Sequence, residues 1–344
     1  MQIFPNFEEI SAFMIDLSTK YMGFNLRNPI IAGSSTLTSR IESIRELVLA
    51  NVSAVVLKSL FEEDLMLECS PESRKFEKSG NYPKGAEYGG IRSRHPKMEA
   101  YVRLIGKCKS EFDIPIIASI NCTTFHEWIP FAKRVEEAGA DAIELNMFVL
   151  PSDPMRSSIE NEQVYFDILT DLRRHIKIPL TVKISPYFSG LTKMALKLSW
   201  TGIQGMVLFN RFFTPDIDIE NQSIVAGSIY SSPEEMAISL RWVGLLSDRV
   251  MCDLCGSTGI HNSEGILKML LAGARAVEIT SVLYQKGPAE IGIMLKGIED
   301  WMQRKGYSCI KEFNGILSLK KAENPADYER FQYLQHINVI GKEC

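Results

Sequence analysis

The chain has 344 residues, 45% of them hydrophobic and 23% charged, with 38 Lys and Arg against 42 Asp and Glu for a formal net charge of −4. That composition supports a large buried core. The charge balance excludes a global electrostatic footprint for nucleic acid or an anionic membrane, while leaving room for small anionic ligands and local basic patches. The longest apolar runs fall short of the ~18 to 20 residues that a bilayer-spanning helix needs. No apolar stretch follows a basic start and the seven cysteines form no framework, so a reducing, cytoplasmic location is expected.

Residues 1–13 read as an N-terminal extension, and the better-patterned region from Met14 is assigned to one domain over 14–344. Short apolar runs then recur: "IIAGS" from Ile31, "AVVLKSL" from Ala54, "IPIIASIN" from Ile114, "AIELNM" from Ala142, "LTVKIS" from Leu180, "GMVLFN" from Gly205, "VMCDLCG" from Val250 and "AVEITS" from Ala276. Between most of them lie apolar residues at helical spacing, such as Ile41, Ile44 and Leu47 behind an expected capping box of Ser39 and Glu42. Near-continuous apolar strands point to a parallel sheet covered on both faces. "AGADAIEL" (138–145) and "AGARAVEI" (272–279) echo each other, each a helix stopping at a glycine and turning at once into a strand. The predicted fold is therefore α/β, a closed (β/α)8 barrel. A doubly wound open sheet is the runner-up, and no GxGxxG follows the first strand to support it. The longest gap between strands, about 61–113, contains "SGNYPKGAEYGGIRSRHP" and is expected to be a lid-like insertion.

In such a barrel the chemistry sits just beyond the C-terminal strand ends. Those positions hold Gly33 and Ser34, Lys58 and Ser59, Asn121 and Cys122, Asn146, Lys183, Asn210, Gly256 with Thr258 and Gly259, and Thr280 with Ser281. Lysines and asparagines at buried strand ends need hydrogen bonds or a counter-charge. Asn and Lys can hold the carbonyl and imide edge of a flat heterocycle, with the ammonium stabilising negative charge on the ring. Small residues in "GSTG" and "ITS" let backbone N–H groups surround a phosphate. A ligand with a ring and a phosphate is implied, and flavin mononucleotide (FMN) has both. A Schiff-base lyase using Lys58 or Lys183 is the competing class; it accounts for a lysine and not for the asparagines.

Taken together in order, "NPIIAGS", "VVLKS", "GADAIELN", "VKISPYF", "LFN", "GSTGI" and "AVEITSVLYQKGP" resemble the dihydroorotate dehydrogenases and the related flavin domain of dihydropyrimidine dehydrogenase, over about residues 15–315. "IIASINCTTFHEW" is closer to the latter; "VKISPYF" and "KGY" (305–307) are closer to the soluble dihydroorotate dehydrogenases. The resemblance implies that Ala32, Gly33 and Ser34 line the flavin, and that Lys58 and Ser59 contact flavin and substrate. It also implies that Asn146 holds both, that Lys183 faces the flavin N1 and O2 edge, and that Asn210 binds substrate. Gly227 would lie in a loop near the flavin, and Thr258, Gly259, Thr280 and Ser281 around the phosphate. A homodimer is implied by the same likeness, and an iron–sulfur relay, if used, would be external.

The family's Asn-Leu-Ser-Cys-Pro-Asn loop, which carries a Cys or Ser base, is here Asn146-Met147-Phe148-Val149-Leu150-Pro151. Val149 stands at the base position, and losing a positioned base costs ~10² to 10⁴-fold in rate. Lys58 and Asn146 are the expected catalytic residues, with Cys122, Ser152, Asp153, His95 and Tyr88 as replacement bases. The expectation is an FMN-dependent CH–CH oxidoreductase on a dihydropyrimidine-like substrate, with an external redox partner and no metal. A flavoprotein with a different substrate, or without dihydroorotate dehydrogenase activity, is the alternative. Cys252 and Cys255 read as buried thiols, His126 and His261 as loop residues or as side chains standing behind those of the site, and "RKFEK" and "RSRHPK" as solvated faces.

Overall fold

A computed structural model describes residues 15–62, 96–122, 128–212, 214–323 and 328. The N-terminal extension, Tyr88, His95, His126 and both basic stretches, save Pro96 and Lys97 at the end of the second, lie outside the described residues. The elements in chain order are β1 (Thr19–Tyr21), β2 (Phe24–Leu26), β3 (Ile30–Ala32), α1 (Ile41–Leu49), β4 (Ala54–Val56), β5 (Leu60–Phe61), α2 (Pro96–Glu111), β6 (Ile116–Asn121), α3 (Trp128–Glu137), β7 (Ala142–Asn146) and α4 (Ser158–His175). There follow β8 (Leu180–Ile184), α5 (Leu191–Ser199), β9 (Gly205–Leu208), β10 (Pro215–Asp218), β11 (Ser223–Ala226), α6 (Met236–Leu246), β12 (Asp253–Ser257), α7 (Ser263–Ala272), β13 (Ala276–Ile279), α8 (Ser281–Lys286) and α9 (Glu290–Lys305).

All eight apolar runs become staves of one closed parallel barrel, in the order β3, β4, β6, β7, β8, β9, β12, β13 and back to β3. β5 prolongs the β4 stave, pairing Leu60 with Ile120 of β6, and the Leu57 N–H bridges the break by donating to Ile117 O at 2.8 Å. The strands are continuous apolar rows because both faces are covered. Their outward side chains meet the helices in one large core that includes Ile30, Val55, Ile116, Ile143, Val182 and Val277. Each such side chain stabilises the fold by about 1.5–3 kcal/mol. Inside the barrel, Ile31, Val56, Ile117, Val207 and Cys255 form a second core.

The β1–β2 hairpin closes the barrel floor by inserting Tyr21, Met22 and Leu26 into that inner core, while the Met22 N–H donates to Asp253 Oδ2 at 2.8 Å. Gly205 at the start of β9 makes room for this plug: a Cβ there would lie 2.8 Å from the Tyr21 hydroxyl and 2.9 Å from Met22 Cγ. The echoed helix-to-strand turns are both left-handed, with φ of 89° at Gly139 and 112° at Gly273. The expected Ser39/Glu42 capping box is not formed. Arg40 is the N-cap of α1, and the Ser39 hydroxyl instead donates to Thr36 O at 2.7 Å, closing a short 3-10 turn. Glu160 and Ser157 do form such a box at the start of α4.

Within the 61–113 gap, α2 is an ordinary outer helix of the barrel, burying Met98, Tyr101, Ile105 and Cys108; residues 63–95 of the expected lid are outside the described part. A second antiparallel hairpin, β10–β11, rises from the loop after β9, with Ile217, Ile224 and Val225 exposed. Among the described residues no helix is long and apolar enough to cross a membrane. Cys252 and Cys255 are free thiols, the latter fully buried inside the barrel.

Candidate active site at the barrel mouth

Strands that are neighbours only through the closure of the barrel bring their last residues together at one rim. Ser34, beyond β3, accepts the Ser59 N–H at 2.9 Å, and the two hydroxyls lie 3.2 Å apart. The Ser59 hydroxyl reaches Ser119 at 2.6 Å and receives the Asn146 Nδ2 at 3.4 Å. Asn146 Oδ1 in turn accepts from Asn210 Nδ2 at 2.5 Å. One hydrogen-bonded chain therefore links the ends of β3, the β4 stave, β7 and β9, meeting the requirement that half-buried amides be satisfied.

Beside these amides lies an ionic floor, Lys183 of β8 being the strand neighbour of Asn146 in β7. Lys183 of β8 pairs with Glu278 of β13, and its Nζ is 3.7 Å from Glu144 Oε1 of β7. The lysine side chain is 11% exposed and the two carboxylates 1% and 2%. Burial and the neighbouring Glu278 charge hold the Glu144 carboxyl well above the usual carboxylate range, against the pull of Lys183. Burial works against the charge on Lys183, but the two glutamates more than reverse it and raise its pKa above that of an ordinary lysine. Lys183 is therefore a fixed cation.

A cavity of about 480 Å³ opens beside this floor, within the size range of small-molecule sites. Its lining includes Lys183, Asn210, Arg211, Glu278, Ser231, Thr258, Gly259, Thr280 and Ser281, so hydroxyl groups predominate among its polar side chains. Its backbone is shaped for close approach: Thr258 and Gly259 are both left-handed at φ 74° and 75°, and a Cβ on Gly259 would fall 2.3 Å from Met236 N. Thr258 donates its hydroxyl to Phe209 O at 3.1 Å, and the Gly259 N–H donates to Ser231 Oγ at 3.3 Å. Gly33 is equally tight, since a Cβ there would meet Thr280 Oγ1 at 2.6 Å.

Ser34, Ser59, Asn146, Lys183, Asn210, Thr258, Gly259, Thr280 and Ser281 are thus gathered at one mouth, and Ala32 is fully buried at the β3 end below them. Lys58 sits at the β4 strand end with its side chain exposed, its N–H donating to Thr38 O at 3.4 Å. Gly227 lies at the base of the β10–β11 hairpin, where its N–H donates to Thr214 O at 2.9 Å; the neighbouring Ile229, Tyr230 and Ser231 line the cavity and Gly227 itself does not. Cys122 is buried at the end of β6, Ser152 is exposed, and Asp153 Oδ1 accepts the Met155 N–H at 3.0 Å.

Val149 packs its side chain against the outer core and donates its N–H to the Tyr165 hydroxyl at 3.2 Å. Aromatic residues crowd the rim next to it. Phe148 and Phe212 have ring centroids 3.7 Å apart, and Tyr187 stacks on Phe212 at 5.4 Å. Sequence reasoning missed the two glutamates, Ser231 and this aromatic group. His261, read as a loop residue or as a side chain behind the site, is buried, with Nε2 3.2 Å from the Ser231 hydroxyl.

Comparison with known proteins agrees with this geometry. A family model described as dihydroorotate dehydrogenase matches residues 16–302. Similar relatives carry the name dihydroorotate dehydrogenase B (NAD(+)), catalytic subunit. That of Thermoplasma volcanium is 26% identical over 322 residues, covering 88% of this chain and 99% of the relative. That of Petrotoga mobilis is 25% identical over 316 residues, covering 88% and 100%. That of Pyrococcus abyssi is 27% identical over 308 residues, covering 87% and 98%. With the match spanning nearly the whole barrel, the chain belongs to the dihydroorotate dehydrogenase family.

Proposed function

We propose that the mouth of this barrel holds FMN and that the chain, as a CH–CH oxidoreductase of its family, oxidises or reduces a C–C bond of a dihydropyrimidine-like cyclic amide. The observation that carries this is the Asn146–Asn210 amide pair set next to the Lys183 cation at the 480 Å³ cavity. The cavity residues fit the cofactor. A dianionic phosphate suits the hydroxyls and glycine backbone of Ser231, Thr258, Gly259, Thr280 and Ser281, and a flat ring suits the neighbourhood of Lys183 and Asn210. When bound, the flavin supplies the hydride acceptor or donor. The chain's own work is to hold the substrate's amide edge with Asn146 and Asn210, and to set the charge beside the ring through Lys183.

A Schiff-base lyase acting through Lys183 is disfavoured by the same floor. An amine nucleophile needs a lowered pKa, and the glutamates raise that of Lys183. A second reading within the family is favoured by a specific observation. Val149 cannot accept a proton and packs against the core, and Phe148, Tyr187 and Phe212 form an aromatic group in the loops beside it. A substrate other than dihydroorotate fits that rim. The relatives' names, each a catalytic subunit of an NAD(+) enzyme, support an external redox partner, and the likeness to soluble members supports a homodimer.

The test is to purify the chain, record its absorption spectrum, and mix it anaerobically with dihydroorotate and with uncharged dihydropyrimidines. A flavin band bleached by one of these cyclic amides is expected. A colourless protein trapped on its substrate by borohydride would sink the proposal in favour of the lyase.

A further inference from the structure

We infer that Glu278 is a positioning residue that cancels the charge of Lys183 beneath the ring, so that a flavin bound here meets a neutral ion pair and has a lowered two-electron reduction potential. The inference rests on the proposed FMN site and gives a role to Glu278, which that reading leaves unused. Lys183 and Glu278 come from β8 and β13, which are three staves apart, so their pair crosses the barrel interior instead of bracing two adjacent strands. Both line the cavity. Glu278 also abuts the β3 end, since a Cβ on Gly33 would lie 3.4 Å from its Oε2.

The charge count then decides the sign. Lys183, Glu278 and Glu144 share the floor with the Cys255 thiol, whose pKa burial raises well above its ordinary value. Neither carboxylate is paired with any other lysine or arginine among the described residues. Glu144 stands back at 3.7 Å, both its oxygens make no hydrogen bond, and burial with the Glu278 charge holds its carboxyl above the usual range, so Glu278 is the carboxylate in contact with the ammonium. That contact pair is one cation and one anion, screened little by water. Electrons arriving on a ring above a bare ammonium would be stabilised; above this pair they gain little. Fold stability is a poor reason for such a pair, because buried ion pairs can often be replaced by apolar residues without loss. The floor is instead placed where it acts on a ring.

The readout is the midpoint potential of the flavin-loaded chain, measured by anaerobic equilibration with reference dyes. E278Q leaves Lys183 uncancelled and is expected to raise the potential by ~30 to 60 mV, a roughly 10- to 100-fold shift toward reduced flavin. E278D keeps the charge and is expected to stay within ~10 mV of the starting chain. If E278Q fails to fold, the doubly apolar K183M/E278L chain takes its place. A potential within ~15 mV of wild type supports cancellation, and a fall of ~60 mV or more overturns it, because the ammonium would then have been acting alone. A wild-type chain that binds no flavin overturns the proposed function and this inference together. A yellow wild type whose potential E278Q does not raise overturns this inference alone.

Discussion

Gly259→Ala is the sharpest perturbation of the phosphate end. At φ 75° an L side chain pays the left-handed penalty of about 1–2 kcal/mol, and the new Cβ would stand 2.3 Å from Met236 N and 2.8 Å from Met236 Cα. Those atoms are backbone at the start of α6 and cannot swing aside, so overpacking adds about 1–3 kcal/mol. The total is roughly 2–5 kcal/mol. With an unfolding entropy of ~2.1 cal/mol/K per residue, a chain of this size loses about 1–2 °C in Tm per kcal/mol, giving a fall of about 3–8 °C. Because Gly259 lines the cavity, any loop shift that relieves the clash also spoils the phosphate cradle, and about 1.4 kcal/mol of lost binding weakens FMN tenfold. Differential scanning fluorimetry and flavin fluorescence on dilution read the two effects. Gly106→Ala is the control: it is exposed within α2 with nothing within 4 Å of the added Cβ, and is expected to stabilise by roughly 0.5–1 kcal/mol. A Gly259→Ala chain with unchanged Tm and unchanged flavin retention would refute the reasoning.

The remaining predictions concern the base, the buried histidine and the thiols. Val149→Cys is expected to change flavin reduction by dihydroorotate less than about tenfold, because that side chain packs on the core; a gain of ~10² or more would mean that only the base was lost. Burial, then the Lys286 charge, lowers the His261 pKa below its ordinary value against the opposing Ser231 bond and the Glu235 and Glu234 carboxylates. The unfolded chain therefore binds more protons as pH falls through about 6.5, and stability drops there. Glu144, with its raised pKa, slopes the other way, costing stability as pH rises from its ordinary value, so the His261 effect is read as the difference between wild-type and His261→Gln melting curves from about pH 7.5 to 5.5. Equal slopes would contradict it. Burial pushes the Cys252 thiol up to about 12 and Cys255 well above its ordinary value, so brief alkylation of the native chain near pH 8 should modify neither, as read by peptide mass spectrometry.

The barrel was legible because its staves, buried on both faces, must be apolar runs, and all eight runs became staves. Ser34, Ser59, Asn146, Lys183 and Asn210 were legible for a related reason: a polar residue ending an apolar strand has to be satisfied by its neighbours, and each is. Glu144 and Glu278 escaped notice, although the signal was present. They occupy the same place in the echoed "AGADAIEL" and "AGARAVEI", mid-strand in apolar surroundings, where a carboxylate needs a cation; only barrel closure shows that Lys183 serves both. The β1–β2 plug was hidden because its strands are three residues long and their pairing is set by the cavity they fill. The Ser39 cap failed since the preceding 3-10 turn claims the same hydroxyl. Phe148, Phe212 and Tyr187 meet only through three loops folding together, which no local pattern encodes.

The central claim is that one end of the cavity grips a phosphate and the other a flavin ring. Equilibrium titration of cofactor-stripped chain with FMN and with riboflavin, followed by flavin fluorescence, tests it directly. The account predicts FMN at least ~100-fold tighter than riboflavin, about 2.7 kcal/mol attributable to the phosphate. Equal affinities, or no binding of either, would contradict it.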